Sequence, residues 1–217
     1  DLHFPIIISL LFFTCTLFAQ SAAPLAPADS IDVYFEPTGG FYQRQQQITV
    51  QAPGASEIFY TLDGSKPDRK SQPYFQPIIL DETAVMRVVA YLGKEAGRPV
   101  GQTYFINEPK TNFPVVSIAL PPYVLFNPET GIFVQGGGAV DSLWHKPGAN
   151  FWTRREYPIH LEFFEADGSQ VYSSLSGMRL FGGMSRLFPQ KSLALIARKQ
   201  YGESRFRMPI FGEEGEK

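Results

Sequence analysis

Short runs of apolar residues alternate with turn-forming residues along most of this chain, and the pattern predicts strands. Between residues 31 and 106 the turn signals recur about every 8–12 residues, which is the spacing of an antiparallel β-sandwich. No stretch of this segment keeps the apolar period of a helix, roughly 3.6 residues. The strands predicted here are 48–50, 57–62, 78–80, 84–91 and 101–106.

The longest of these runs also predicts which side chains share a face. From residue 84 to 92, the odd positions from Val85 to Tyr91 lie on one face and the even positions from Met86 to Leu92 on the other, because side chains alternate across a strand. Asp63-Gly64 follows the strand 57–62 and is a strong signal for a hairpin turn. The segment is therefore predicted to be one unit of short strands joined by turns.

The second half of the chain continues this pattern after a polar, proline-containing segment, residues 107–112, which is typical of a short linker or hinge. The triplet Gly136-Gly137-Gly138 lacks the following Gly-Lys-Ser/Thr of a phosphate loop, so we interpret it as part of an ordinary loop. Asp167-Gly168 predicts a hairpin turn. The strands predicted here are 115–120, 158–165, 177–181 and 193–197.

Two titratable residues share one face of the predicted strand 158–165. His160 and Glu162 are two positions apart, so they could approach a common ligand. Two ligands are too few to argue for a metal site. A half-exposed strand face explains the pair as well.

An apolar, uncharged stretch near the start of the chain, residues 4–19, predicts export. It is shorter than the ~20 residues that span a bilayer and suits the apolar region of a secretory signal, about 7–15 residues. We interpret 1–23 as a signal peptide without its basic start, and 24–30 as a linker. Cys15 lies inside this segment; the bulky residues before it argue against a lipidated cysteine.

Composition narrows the function classes. The net charge is −2, 18% of residues are charged and no basic stripe is present, so nothing points to nucleic acid. Cys15 is the only cysteine, so the chain after the signal has no disulfide, catalytic thiolate or cysteine-ligated zinc. A length of 217 residues fits one or two domains after the signal.

The segment 31–106 resembles a known accessory domain. The string Tyr60-Thr61-Leu62-Asp63-Gly64-Ser65-Lys66-Pro67, followed by Tyr74 and Pro77-Ile78, is similar to the signature of the chitobiase/β-hexosaminidase C-terminal type, or GH29D-like, β-sandwich. The resemblance implies an Ig-like sandwich with no catalytic role of its own. Exposed rings such as Tyr42 or Tyr74 could stack on sugars; the alternative is that these rings pack the sandwich.

Another motif lies between residues 177 and 192, where a strand ends in Gly182-Gly183 and a Ser-Arg pair follows. Glycines allow a backbone to approach a ligand closely. Arg186 and Lys191 could then supply positive charge to phosphate or carboxylate oxygens. The alternative is a glycine-containing connection with two solvated cations, and spacing alone does not decide between them.

The pattern Gly-x-Arg-x-x-Gly-x-x-Ser-Arg-x-x-Pro-x-Lys-Ser at 177–192 resembles the front motif of the CotH family, spore-coat-type kinases of atypical protein-kinase fold. The resemblance covers about 113–217. It implies ATP and Mg²⁺ as cofactors, with Arg186 and Lys191 contacting nucleotide phosphate and Arg179 and Ser185 as weaker candidates. Some members have Asn at the position of Gly183. The family's catalytic acids lie further downstream, and the acids at 213–216 do not match them.

Taken together, these features predict a mainly β, exported, modular protein, extracellular or at the cell surface. The predicted order is an Ig-like sandwich at 31–106, a linker at 107–112, and at 113–217 a truncated α+β domain resembling the atypical kinase fold. The intact form would phosphorylate a protein substrate at Ser or Thr, and this fragment would not be catalytically complete. The alternative is a non-catalytic surface adhesion or carbohydrate-associated protein that binds a cell-surface glycan through the sandwich.

Overall fold

The computed structural model describes residues 31–109 and 111–208. Strands dominate them, as expected for a mainly β protein. The predicted signal peptide 1–23, the linker 24–30 and the acidic residues at 213–216 lie outside the described residues. Within the described ranges, no helix has both the length and the apolar character needed to cross a membrane.

The first part of the described chain is built from short strands in two sheets. The strands are β1 (Tyr34–Glu36), β2 (Gly40–Tyr42), β3 (Gln46–Gln51), β4 (Glu57–Thr61), β5 (Gln72–Pro73), β6 (Ile78–Leu80), β7 (Ala84–Leu92), β8 (Glu95–Ala96) and β9 (Val100–Ile106). One sheet has three strands in the order β1-β3-β6. The other has six strands in the order β2-β9-β7-β4-β5, with β8 paired to β7. β2 runs parallel to β9, and the remaining pairs are antiparallel.

These two sheets pack face to face, which confirms the predicted sandwich. Met86 and Val88, the even positions of β7, point into the core between the sheets. Val89 and Tyr91, the odd positions, join Phe59 on the opposite face. β7 is therefore buried on both faces. The core consists of Phe35, Ile48, Val50, Leu80, Met86, Val88, Tyr104 and Ile106.

A third sheet, four-stranded and antiparallel, follows. Its strands are β10 (Val115–Ala119), β11 (Tyr157–Phe164), β12 (Gln170–Phe181) and β13 (Ser192–Ile196), in chain order across the sheet. As predicted, Asp167-Gly168 turns the chain between β11 and β12. The amide of Glu165 donates to the carbonyl of Ser169 at 2.9 Å, and Gly168 adopts a φ of 90°.

One face of the four-stranded sheet packs on a loop region and one short helix. The helix, α1 (Pro122–Phe126), begins at a proline, where the missing N–H would have had no helical partner anyway. The buried residues of this second core are Leu120, Ile132, Ala149, Phe151, Ile159, Leu161, Met178 and Leu180. Within the described residues this part is an antiparallel sheet with little helix, and the kinase-like α+β architecture stays a prediction.

Sequence alternation missed the first half of β12. Residues 170–176 include Ser173, Ser174 and Ser176, so their apolar residues do not alternate regularly with polar ones. They are nevertheless a strand because their backbone pairs with β11 through Ser176 opposite Ile159 and Gln170 opposite Phe164. Backbone hydrogen bonds to the neighbouring strand thus form a strand here that the composition of the segment does not predict.

The other face of the four-stranded sheet lies against the sandwich. Phe164 is fully buried, and its ring meets Phe41 and Phe105 edge-on at centroid distances of 5.8 and 5.3 Å. Phe41 and Phe105 stack on each other at 4.3 Å. Such edge-to-face and stacked pairs add about 0.5–1.5 kcal/mol each beyond their buried area. The four-stranded sheet and the six-stranded sheet of the sandwich therefore share an apolar contact, in addition to being linked by the chain.

Glu162 lies in the same contact and is completely buried. Its carboxyl oxygen Oε1 accepts from the Thr103 amide at 3.1 Å and from Gln170 Nε2 at 2.6 Å. The Thr103 hydroxyl donates to its other oxygen and lies 2.6 Å from the Ser117 hydroxyl. Burial raises the pKa of Glu162 to about 7, although these hydrogen bonds act in the opposite direction.

His160 lies two residues earlier on this face and is 4% exposed. A Cβ on Gly101 would lie 3.0 Å from His160 Cδ2 and 3.3 Å from Arg87 Cγ. The glycine therefore allows β9 to lie close to His160 in β11. Burial, and then the charge of Arg87, lowers the pKa of His160 to about 4. The imidazole is therefore neutral at pH 7.

The interpretation of this strand face as half-exposed is wrong, because the sandwich covers it. His160 and Glu162 also do not converge on one ligand. His160 Nε2 lies 3.1 Å from the Ser173 hydroxyl, whereas Glu162 is bonded to Thr103 and Gln170. The alternation of the sequence located the face correctly, but what buries it comes from a strand more than fifty residues earlier.

The segment predicted as a hinge also contacts the sandwich. The Asn107 amide donates to the Tyr42 carbonyl at 2.7 Å, and the Thr83 hydroxyl donates to the Glu108 carboxylate. Hinge motion at 107–112 stays a prediction, and any such motion would have to break the buried contact at Glu162.

The pH dependence of stability should separate Glu162 from His160. The pKa of Glu162 is about 7 in the fold against an ordinary 4.5, so its contribution is complete below pH 4.5 and is lost as the pH rises through 7. The pKa of His160 is about 4 against an ordinary 6.5, so its contribution is complete above pH 6.5 and is lost as the pH falls through 4. Between pH 4.5 and 6.5, the contributions of the two groups to stability therefore change with pH in opposite directions.

Single substitutions should separate the pH dependence that each group adds to the unfolding free energy, measured by urea unfolding between pH 4 and 7.5. Relative to the wild type, the unfolding free energy of Glu162→Gln should rise with pH between 4.5 and 7, by on the order of 3 kcal/mol. That of His160→Gln should fall, relative to the wild type, between pH 4 and 6.5. Profiles that stay parallel to the wild type in both variants would contradict the assignment.

Candidate functional site

Three arginines and two glycines line a groove at the end of β12. Its volume is about 440 Å³, and Leu180 and Phe181 complete the lining. The groove lies where β12 ends and a 3-10 turn, Met184–Leu187, begins. No carboxylate is among the lining residues, which are Arg154, Arg179, Leu180, Phe181, Gly182, Gly183 and Arg186.

The two glycines at the end of β12 differ in conformation and surroundings. Gly182 has a φ of 94°, and a Cβ there would lie 2.2 Å from the Ser185 hydroxyl. Ser185 thus packs directly beside Gly182, although it does not line the groove. Gly183 is exposed, and a Cβ there would meet nothing within 4 Å. The backbone at Gly183 is therefore the part of this connection that a ligand can approach.

The guanidinium of Arg186 is largely occupied by backbone carbonyls. Nε donates to Gly182 at 2.8 Å and Nη2 to Leu180 at 3.0 Å. Nη1 donates to Thr153 at 2.8 Å and Phe151 at 3.2 Å. Arg186 thereby connects the end of β12 to the 3-10 turn at Asn150–Trp152, and only its remaining N–H is left for a ligand.

Lys191 makes similar contacts. Its ammonium donates to the carbonyls of Arg186 at 2.8 Å and Phe188 at 3.0 Å. It also lies 4.7 Å from the centroid of the Phe151 ring, a favourable cation–π contact. Burial lowers its pKa. Phosphate contact by Arg186 and Lys191 stays a prediction, and both side chains hold the connection between β12 and β13 in place.

Arg154 and Arg179 are the cations that the fold leaves exposed at this groove. Neither takes part in the salt bridges found among the described residues. Both line the groove together with Arg186. Burial, and after it the charges of these two arginines, lower the pKa of Arg186. Arg179 was among the residues predicted from the motif, whereas Arg154 was missed since it belongs to a separate loop.

Comparison with known proteins bears on the sandwich. Residues 37–100 match the profile of the chitobiase/beta-hexosaminidase C-terminal domain. This supports the resemblance stated for the first part of the chain. A search of curated proteins and one of solved structures found no match for the chain. The comparisons lend no support to the CotH resemblance of the second part, which stays a prediction.

The two tyrosines considered for sugar stacking are engaged in this sandwich. Tyr42 donates its hydroxyl to the Thr38 carbonyl at 2.5 Å, and its ring stacks on Tyr104 at 6.2 Å. The Tyr74 hydroxyl accepts from the Val50 amide at 2.9 Å. Both rings also pack against the core between the two sheets. Packing explains them better than stacking on a sugar.

The described residues offer no group of three or more His, Cys, Asp or Glu side chains that could hold a metal ion. His145, the lone histidine of the loop 135–150, is half-buried and contacts Trp144. The groove thus presents positive charge and open backbone but no metal ligands.

Replacing Arg186 by alanine should destabilise the protein, because four backbone carbonyls lose their charged donor. We expect a loss of about 1–3 kcal/mol in unfolding free energy, measured by urea denaturation. Arg179→Ala is the matched control, since Arg179 is exposed, and its effect should stay within about 0.5 kcal/mol. Equal losses in the two variants would contradict the structural task of Arg186.

Proposed function

We propose that the second part of this chain binds a phosphate-bearing ligand, a nucleotide, in the groove lined by Arg154, Arg179 and Arg186. In the intact protein this groove would be the phosphate end of the nucleotide site of a CotH-type protein kinase. The sandwich would be an accessory module of the same exported protein. One observation carries the proposal, namely three guanidinium groups around a groove that no carboxylate lines.

Electrostatics favours an anion at this place. Burial, and after it the like charges of Arg154 and Arg179, lower the pKa of Arg186, so the three cations of the groove repel one another. A phosphate would relieve this repulsion and receive charge-assisted, often bidentate, hydrogen bonds. The exposed backbone at Gly183 leaves room for the ligand to approach. An anion is therefore the ligand class that this lining suits.

The residues divide into two roles in this proposal. Arg154 and Arg179 contact the phosphate oxygens, since their side chains are exposed. Arg186 positions the backbone beside both of them, through its bonds to the carbonyls of Thr153 and Leu180. Lys191 in turn holds the carbonyl of Arg186. ATP would supply the transferable phosphoryl group. Mg²⁺ needs oxygen ligands, and no carboxylate lines the groove, so these lining residues do not fit the metal.

Binding can be tested by titrating the chain with ATP in isothermal calorimetry at low salt. Arg179→Ala and Arg154→Ala should each weaken binding about tenfold, because each removes one charge-assisted contact. Arg155→Ala is the matched control: Arg155 neighbours Arg154 but lies over the Tyr157 ring, outside the groove. Unchanged affinity in both groove variants would refute the site, and no binding by the wild type would refute the function.

Lys191→Ala tests whether this lysine contacts phosphate, as its motif predicts. A purely positioning role predicts a loss of stability with affinity restored in Lys191→Arg, whose longer cation can still reach the carbonyls. Direct phosphate contact predicts weaker ATP binding at unchanged unfolding free energy. Thermal unfolding and calorimetry on the same variants separate the two roles.

A second candidate function is that of a carbohydrate-associated binding protein at the cell surface. One observation favours it: the family matched by residues 37–100 takes its name from chitobiase and β-hexosaminidase. This candidate needs no nucleotide site, so ATP binding that depends on Arg154 and Arg179 would argue for the kinase-type proposal instead.

A further inference from the structure

The sandwich has a groove of its own, between the edges of its two sheets. Its volume is about 600 Å³. β5 is one edge strand of the six-stranded sheet and β6 is one edge strand of the three-stranded sheet. The segment connecting these two strands borders the groove. The lining residues are Tyr60, Pro73, Phe75, Gln76, Pro77, Ile78 and Ile79.

Phe75 is the outstanding residue of this groove. It is 87% exposed, the highest fraction among the exposed large hydrophobic side chains of the described residues. A ring in that position adds almost nothing to the core. The signature in the sequence includes its neighbour Tyr74 and not Phe75, but the Tyr74 ring packs against the core.

The backbone that carries Phe75 is held on both sides. The Tyr74 amide donates to the Ile58 carbonyl at 2.8 Å, and the Tyr74 hydroxyl accepts from the Val50 amide at 2.9 Å. These bonds connect the segment to both sheets of the sandwich. Pro73 and Pro77 flank it, and proline restricts backbone rotation. An exposed ring on a fixed backbone is preorganised for binding, which lowers the entropic cost of holding a ligand.

We infer that this groove binds a neutral, β-linked oligosaccharide, with one pyranose ring stacked on Phe75. The inference rests on the carbohydrate-associated candidate and is independent of the nucleotide proposal. The C–H face of an equatorially substituted pyranose is flat and apolar and matches an aromatic face. Its hydroxyl groups need polar partners at the rim, and Tyr60 and Gln76 provide a hydroxyl and an amide.

Charge decides between neutral and acidic sugars. None of the seven residues that line the groove is charged. An acidic oligosaccharide would lose hydration there without gaining a cation, which is unfavourable. A neutral chain keeps its hydroxyl groups partly in water along the open side and buries only the stacked ring.

Area argues against a protein partner or a second copy of the chain. The large exposed apolar side chains that line the groove are Phe75 and Ile79. An aromatic ring such as Phe75 presents about 150–250 Å², whereas each partner of a stable protein interface buries about 800 Å². A single sugar ring or a short oligosaccharide fits the available surface.

The test uses the full chain and calorimetric titration with chitohexaose, cellohexaose and an oligogalacturonate as the acidic comparison. The wild type should bind at least one of the neutral probes, and Phe75→Ala should weaken that binding about tenfold or more. Phe75→Trp should retain it, because a larger flat ring stacks as well. Phe113→Ala, which removes another exposed phenylalanine (76%) outside the groove, should leave binding unchanged.

The outcomes distinguish the site from the function. Binding of a neutral probe that is unchanged in Phe75→Ala would overturn this site and leave the carbohydrate-associated candidate standing. No binding of any probe by the wild type would overturn both. Preference for the oligogalacturonate would overturn the neutral-ligand assignment. A dimer that Phe75→Ala converts to monomer in sedimentation would show that a second copy occupies the groove instead.

Discussion

The buried carboxyl group of Glu162 is the constraint on which the arrangement of this molecule depends. A fully buried acid is costly unless its hydrogen bonds are satisfied, and its partners come from two directions: Thr103 in the sandwich and Gln170 in its own sheet. The two units must therefore stay together for this group to remain satisfied. The phenylalanine cluster around Phe164 buries the same face with apolar surface. The sandwich thus covers this face of the four-stranded sheet.

This arrangement decides where ligands can reach the molecule. The face of the four-stranded sheet that carries His160 and Glu162 is closed by the sandwich, so its titratable groups serve stability. The arginine groove lies at the far end of β12, where the strand leaves the sheet at Gly182. The lining of the Phe75 groove, in contrast, is uncharged. The two candidate sites therefore suit different ligand chemistries and can be tested separately.

The motif at 177–192 illustrates how far a pattern reaches towards a site. It singled out a region in which Arg179 and Arg186 line a groove. It could not rank them, because a sequence does not reveal that four backbone carbonyls occupy the guanidinium of Arg186. It could not find Arg154, which comes from a loop before β11. Side-chain availability is a tertiary property, set by which carbonyls happen to lie within reach.

The sequence by itself determined the mainly β architecture, most strands and the alternation that assigns Met86, Val88, Ile159 and Leu161 to cores. These are local properties, since period and turn residues act within a few positions of the chain. Only the tertiary structure decided that His160 and Glu162 are buried, that Tyr74 is packed while Phe75 is exposed, and that Arg154 joins Arg179. Each of these depends on an element distant along the chain, and local patterns carry no information about which distant element will cover a given face.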